Sequence, residues 1–528
     1  MNELGRPHNT SWRRLSARML LVHPVREVGR AVPALVGLLV AGRAMGDGQM
    51  WWLAPSGVVL VIAVSVLRWM TTRYRITAEQ VQLRTGLLRR KTVSTPADRV
   101  RTVHVTASAL HRVLGLAKVE IGTGSHQGGH GLSLDSLRVA EAAGLRAELL
   151  HHGAVTSSDL EGSMSSPRTP AAGALRAEPV AGAAGSGGDD TELARMDPRW
   201  IRFAPFTMSG VLGAAAIVGV GSRLINQVGV SVTDVGPIRV GLDYARHTPL
   251  WLDFLQGLAG LAVFVTMLAV GGYVLSYWGF RLTRHAGGSL HITRGLLTTR
   301  ATSIEERRLR GLELAEPLLL RAVRAARLSG ITTGLKARRG ADGGSSMLLP
   351  PAPRAVARTV AAAILGDPTP VNVALTAHGP IARRRRFMRA MPASLVLIGA
   401  AGVALRWGAA PWVALVAAMS LPATTMLAAD RYRSLGHALA GGFLVTRSGS
   451  LYRRRDVLEC EGIIGWNLRQ TFFQRRAGLA TLTATTAAGR QRYAVRDVRM
   501  PIALSLADRA LPGLLDDFLV LAPAPLSS

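Results

Sequence analysis

Five arginines, Arg383, Arg384, Arg385, Arg386 and Arg389, crowd one stretch around Phe387, directly before an apolar run. A guanidinium cluster in that place has two uses. It can bind anionic lipid headgroups, at about 1 kcal/mol per residue near a charged surface, or it can fix topology by staying on the cytoplasmic side. One cluster can serve both, and these five residues are the candidate anionic-lipid contacts.

No other set of residues has the spacing of a reaction centre. There is no Gly-Lys dipeptide and hence no phosphate-cradling loop. Gly122-Thr-Gly124 misses the dinucleotide fingerprint, and neither His-Glu-x-x-His nor Gly-x-Ser-x-Gly occurs. His126 and His130 have one-turn helical spacing, but the glycines between them predict a solvated hairpin tip and not a metal pair. His151-His152 ends a predicted helix. Cys460 is the single cysteine, which excludes a disulfide within the chain and a thiolate metal cluster, and it reads as a small apolar residue. Glu305-Glu306 and Asp98 lack a partner at fixed spacing. The expectation is a protein that is not an enzyme, with no catalytic residue, no metal and no cofactor.

The elements that must position the arginines follow from hydropathy. The 528 residues are 48% hydrophobic, and their formal net charge is +30. Lysine occurs only at 91, 118 and 336, so the positive charge is nearly all arginine. A bilayer span needs about 20 mostly apolar residues, and six stretches qualify, in pairs: Ala31–Met45 with Trp51–Met70, Met208–Ile225 with Leu252–Trp278, and Met391–Trp407 with Pro411–Ala429. Gly46-Asp47-Gly48 and Gly408–Ala410 are tight turns, so these pairs read as helical hairpins. Arginines crowd the open ends of the hairpins (Arg13, Arg14, Arg18, Arg26, Arg30; Arg68, Arg73, Arg75; Arg383–Arg386; Arg431, Arg433) and are sparse at the turns. By the positive-inside bias, both termini and all soluble parts lie in the cytoplasm, beneath the plasma membrane. No Asp, Glu, Lys or His sits mid-span, which argues against a coupled carrier.

After each hairpin the same pattern returns. The first copy reads Val81-Gln-Leu-Arg84-Thr-Gly86-Leu87-Leu88-Arg89, the second Leu290-His-Ile-Thr-Arg294-Gly295-Leu296-Leu297, the third Leu444-Val-Thr-Arg447-Ser-Gly449-Ser450-Leu451-Tyr-Arg453. Downstream, Gly115-Leu116-Ala117 in the first copy corresponds to Gly478-Leu479-Ala480 in the third, and the second departs at Arg324–Arg327. Short alternating runs predict strands at 73–76, 81–84, 87–94, 100–105, 117–123 and 131–134, with a short helix in 106–114. The glycine of Arg-Thr-Gly or Arg-Ser-Gly is expected in a left-handed turn between two strands. Closing helices are predicted at Ser136–Leu150, Arg354–Leu365 and Ile502–Leu515. The fold class is therefore membrane α-helical hairpins plus β-rich soluble domains.

This order of hairpin, strands, Arg-x-Gly-Leu turn, Gly-Leu-Ala step and closing helix resembles the bacterial pleckstrin-homology-like (bacterial PH) domain. The whole chain is similar to the YdbT-like multi-copy membrane proteins, including Val22-His23-Pro24-Val25-Arg26 before the first hairpin. The resemblance implies three PH-like curved sheets or partial barrels, each capped by a C-terminal helix, and brings no catalytic residues. It also implies a role in cell-envelope stress or resistance to membrane-active compounds.

The expected layout is a basic cytoplasmic arm at 1–30, a transmembrane hairpin at 31–70, a PH-like domain at 71–152 and a disordered Ser/Gly/Ala/Pro-rich linker at 153–195. A second hairpin at 196–279 and PH-like domain at 280–367 follow. Then come a basic linker at 368–390, a third hairpin at 391–430, a third domain at 431–520 and a tail at 521–528. The expected function is a scaffold presenting three cytoplasmic PH-like domains to protein or lipid, the alternative a six-helix transporter or channel. Its expected partners are the lipid bilayer, anionic lipids and another membrane protein of the same family. Nucleic acid is not expected, since the charges track the membrane flanks and no groove-reading helix is evident.

Overall fold

A computed structural model describes residues 191–207 and 249–514 apart from 253, 286–287 and 334–345, most of 69–145, and scattered positions within 12–67 and 213–219. Most of the first predicted hairpin and of residues 208–225, together with His126, His130, His151, His152, Asp98 and most of the 153–195 linker, lie outside the described residues. The chain divides into two compact units, residues 1–196 with 208–304, and residues 197–207 with 305–528.

The first unit holds two antiparallel sheets. One has the order β1-β2-β3-β4, formed by Arg13–Arg14, Arg73–Ile76, Gln80–Thr85 and Lys91–Pro96. The other runs β7-β6-β5-β11-β10-β9-β8. Its members are β5 (Thr102–Ala107), β6 (Leu116–Gly122), β7 (Leu132–Arg138), β8 (Thr191–Arg195), β9 (Arg281–His285), β10 (Ser289–Arg294) and β11 (Thr299–Glu305). Alternation along β6 and β7 sends Val119, Ile121, Leu132 and Leu134 into one core with Tyr74, Val81, Val103, Ala142 and Leu145. Helix α1 (Ala109–Val113) lies between β5 and β6, and α2 (Leu250–Tyr277) is a 28-residue apolar helix.

The second unit repeats this order of elements. A six-stranded sheet, β14-β13-β12-β17-β16-β15, is made of β12 (Leu309–Pro317), β13 (Ala325–Thr332), β14 (Met347–Pro353), β15 (Gly436–Ala440), β16 (Phe443–Ser448) and β17 (Tyr452–Glu459). A three-stranded sheet joins β18 (Gly465–Arg469), β19 (Leu479–Thr485) and β20 (Arg492–Arg499). The helices are α3 (Leu318–Ala322), α4 (Arg354–Leu365), α5 (Thr369–Asn372), α6 (Gly379–Arg406), α7 (Trp412–Arg433), α8 (Phe472–Arg476) and α9 (Met500–Ala510). The buried face of α9, Ala503, Leu506, Ala507 and Ala510, joins Leu444, Leu458, Leu482, Tyr493 and Val495 in a core.

Sheet boundaries do not follow copy boundaries, against the expectation of one separate sheet or barrel per copy. In the first unit β5 of the first copy pairs with β11 of the second, Val103↔Ser303 through Ala107↔Thr299. In the second unit β12 of the second copy pairs with β17 of the third over seven residue pairs, Gly311↔Leu458 to Pro317↔Tyr452. An edge strand leaves a row of unpaired N–H and C=O groups, and the next copy's edge satisfies them.

A further strand before the first and second predicted hairpins, and a single bridging residue before the third, pair with the strand that follows. Arg13↔Tyr74, Glu192↔Thr283 and the lone bridge Thr376↔His437 are these pairings. Residues 191–195, read from sequence as linker, are thus a strand. Residues 198–206, read as the start of the second hairpin, form a 3-10 helix that buries Trp200, Phe203 and Ala204. The basic linker at 368–390 is instead largely helical: α5 lies within it, and the arginine cluster is the first part of α6, continuous with the apolar run. The first closing helix begins after Arg138, because β7 runs through Ser136.

Among the described residues three helices are long and apolar enough to cross a membrane: Phe254–Tyr277, Gly379–Arg406 and Trp412–Arg433. The last two pack side by side. Ser394, fully buried between them, shares a 2.7 Å hydroxyl contact with Thr424 and donates to Ser420 O at 3.2 Å. Such a polar bond joins helices whose other contacts are apolar.

Candidate functional site at the basic ends of the apolar helices

The five arginines separate into two groups. Arg383, Arg384 and Arg389 are exposed on α6, with Arg383 over the Phe387 ring at 6.0 Å. Arg385 and Arg386 turn inward to Asp497, a carboxylate 1% exposed, Arg386 Nη2 lying 2.5 Å from Oδ2 and Arg385 Nη1 on Oδ1. Gln474 Nε2 donates to the same Oδ1 at 2.8 Å, and Arg385 also reaches Thr471 Oγ1 at 3.3 Å. Burying a carboxylate is costly unless its oxygens accept hydrogen bonds, and these donors supply them. Two of the five candidate lipid contacts thus lock the start of α6 to β20 and α8, and three face outward.

His378 stands just before α6. Its Nδ1 donates to Arg496 O at 2.7 Å, since a carbonyl only accepts, and its Nε2 therefore accepts from His437 Nδ1 at 3.0 Å. Burial, then His378 and Arg509, push the His437 imidazole down to about 4; burial likewise lowers His378. The pair is neutral at pH 7 and ties the residue before α6 to β15.

At the end of α7, Asp430 accepts from Ser450 Oγ at 2.6 Å, Arg321 Nη2 at 3.1 Å and Arg453 Nη2 at 3.3 Å. Arg447 donates to the Arg433 and Ser434 carbonyls, which the helix end leaves without intrahelical partners. In the first unit the backbone does the same work: Gly295 N bonds Trp278 O at 2.9 Å and Leu296 N bonds Leu275 O at 3.0 Å, so the Arg-Gly-Leu-Leu turn caps α2. Sequence reading found this turn as a repeat and placed its glycine correctly. Gly86, Gly295 and Gly449 have φ of 108°, 107° and 104°. It did not find that the turn seats on the preceding helix.

A second basic cluster escaped the sequence reading. Arg202, Arg324, Arg354 and Arg358 line a cleft of about 420 Å³ with Phe203 and Pro353. Glu316 pairs with Arg354 at 2.7 Å; the other three have no carboxylate partner among the described residues, and Arg358 Nε is buried without a hydrogen bond. Arg455 lies close by, pushed down to about 10 by burial and by Arg358 and Arg447. These arginines come from four separate stretches of chain, so no run in the sequence announces them.

Cys460 is buried, and burial pushes its thiol up to about 11, leaving it without thiolate reactivity at neutral pH. Among the described residues no group of three His, Cys, Asp or Glu side chains is placed to hold a metal ion.

The bacterial PH domain family model matches residues 24–152 and 393–512, which take in the first and third copies of the repeat. Comparison with curated proteins gives no match, and comparison with solved structures gives none either.

Proposed function

Because residues 24–152 and 393–512 match the bacterial PH domain family model, we propose that the protein is a membrane-anchored scaffold. Apolar helix pairs hold successive PH-like domains, the middle copy among them, at one face of the plasma membrane. Strand pairing joins the first copy to the second within one unit and the second to the third within the other, giving each unit a stiff surface for protein or lipid partners. The observation that carries this reading is the seam between β12 and β17. Seven ladder pairs between copies fix their spacing, which a partner-binding platform needs and a flexible tether would not supply.

Pairing across each hairpin supports the one-sided arrangement. The residues before and after α6 and α7 meet in the bridge Thr376↔His437, so the intervening chain leaves and returns to the same side. Strands β8 and β9 impose the same parity on residues 196–280. The arginine-rich open ends favour the cytoplasm as that side.

The test is in-cell crosslinking, gentle detergent extraction and identification of what remains bound, for the wild type and for Arg490→Ala, which loosens the seam. A stoichiometric partner lost in the variant, at unchanged membrane levels, supports the platform. Recovery of the protein with no partner overturns it.

A further inference from the structure

We propose that the loops surrounding each apolar helix end form a wedge that enters the lipid interface, so that the soluble domains lie flat on the bilayer and do not hang from it. The inference rests on the reading that these helices cross the membrane, and it assigns a surface and a ligand class that this reading leaves open.

The anchor points give the depth. Asp430 marks the end of the apolar part of α7, whose 18 residues from Trp412 to Ala429 span about 27 Å, close to the thickness of a hydrocarbon core. Ser450 bonds that carboxylate, and the next residue, Leu451, is 59% exposed. Leu318 N bonds Leu451 O at 2.8 Å, and Leu318 and Leu319 are exposed beside it, while Arg321 of the same short helix holds Asp430. These leucines therefore stand at the level where α7 leaves the hydrocarbon.

A matching tip lies beside α6. Arg385 holds Thr471, and the following two residues, Phe472 and Phe473, are 65% and 73% exposed with their rings stacked edge-on at 5.5 Å. Arg475 and Arg476 follow on α8, and Arg384 and Arg389 face outward on α6. Arg385 is six residues, about 9 Å, from Met391, where the uninterrupted apolar run begins after Arg389, which places the aromatic pair at headgroup depth. In the first unit the turn that caps α2 exposes Leu296 and Leu297 in the same way.

Each tip combines apolar side chains with arginines and abuts an apolar helix end. These apolar groups are exposed among the described residues of their units, and a lipid surface offers both what the tips need: acyl chain for the apolar side chains and phosphate for the guanidiniums. A protein partner would need no alignment with helix ends, whereas a bilayer requires it.

The experiment uses the full chain in nanodiscs of phosphatidylethanolamine and phosphatidylglycerol, with Cys460→Ser as background. Single cysteines carrying an environment-sensitive fluorophore are placed by Phe473→Cys, Leu451→Cys, Leu297→Cys, Leu397→Cys within α6, and Glu461→Cys on an exposed turn. Nitroxide lipids quench from near the headgroup or from the chain end. The expected result is blue-shifted emission and shallow quenching at 473, 451 and 297, deep quenching at 397 and none at 461. Deep quenching at 397 with the three tips no more quenched than 461 overturns the wedge and leaves the membrane crossing intact. No quenching at 397 overturns the crossing, and the wedge with it. The tip residues are exposed, so thermal unfolding in detergent should match the parent and identify any variant that fails to fold.

Discussion

Glu313 and Asp456 stand directly opposite each other in the ladder that joins the second copy to the third, two carboxylates where like charges repel. Arg490 makes the arrangement tolerable, placing Nε 3.2 Å from Glu313 and Nη2 2.7 Å from Asp456. Arg490→Ala removes the hydrogen-bonded cation from Asp456 and leaves Glu313 with Arg454 at 3.7 Å. The loss should approach about 3 kcal/mol, the low end for breaking a buried pair, since Arg490 keeps 31% of its side chain exposed. Denaturant unfolding of the detergent-solubilised protein reads this, and adding Asp456→Asn should restore part of it.

Arg324 has φ of 56°, at the position where the first and third copies have Gly115 and Gly478 with φ of 67° and 62°. A side chain in that region costs about 1–2 kcal/mol. Arg324→Gly should therefore stabilise the second unit by roughly 0.5–1 kcal/mol once the glycine's greater unfolded-state freedom is subtracted. Gly478→Ala should destabilise by a similar amount through conformation alone, since no atom lies within 4 Å of its added Cβ. Paired thermal melts check both.

The arginine cluster should divide in function as it does in space. Arg385→Ala or Arg386→Ala weakens the hold on buried Asp497 and should lower stability by about 2 kcal/mol or more. Arg383→Ala with Arg384→Ala should leave stability within about 0.5 kcal/mol of wild type and reduce retention of phosphatidylglycerol during extraction. Lipid analysis beside unfolding measurements separates the two classes.

The His378–His437 pair predicts a pH dependence with a definite sign. The folded His437 titrates at about 4, below the ordinary histidine value of 6.5. Between these values the unfolded chain binds more protons, so stability falls as pH drops from 6.5 towards 4. His437→Gln should flatten that slope, as read from unfolding midpoints across the window.

What the sequence disclosed depended on how local the cause was. The left-handed turn was legible at Gly449 because any Cβ there would strike the Tyr452 carbonyl, a constraint contained in four residues. Helices α6 and α7 were legible because a long apolar run has few other fates. The strand Thr191–Arg195 was not: it is short, has one buried residue, and finds its partner only beyond the apolar helix. The fusion of neighbouring sheets was invisible for a deeper reason, since it is made by backbone groups that every residue carries. Arg385 and Arg386 looked identical to their neighbours; only the fold brings Asp497, more than a hundred residues later, to meet them.

The interleaving of copies also sets a timetable for synthesis. Ala107, at the open edge of β5, meets Thr299 across 192 residues of chain. At ribosomal rates of about 5–20 residues per second, that edge waits roughly 10–40 s for its partner. Throughout that interval the edge of β5 has no strand partner from the second copy, and the second copy in turn waits for the third. Construction therefore proceeds like zipping from the N-terminal end, each later copy delivering the strand that closes the copy before it.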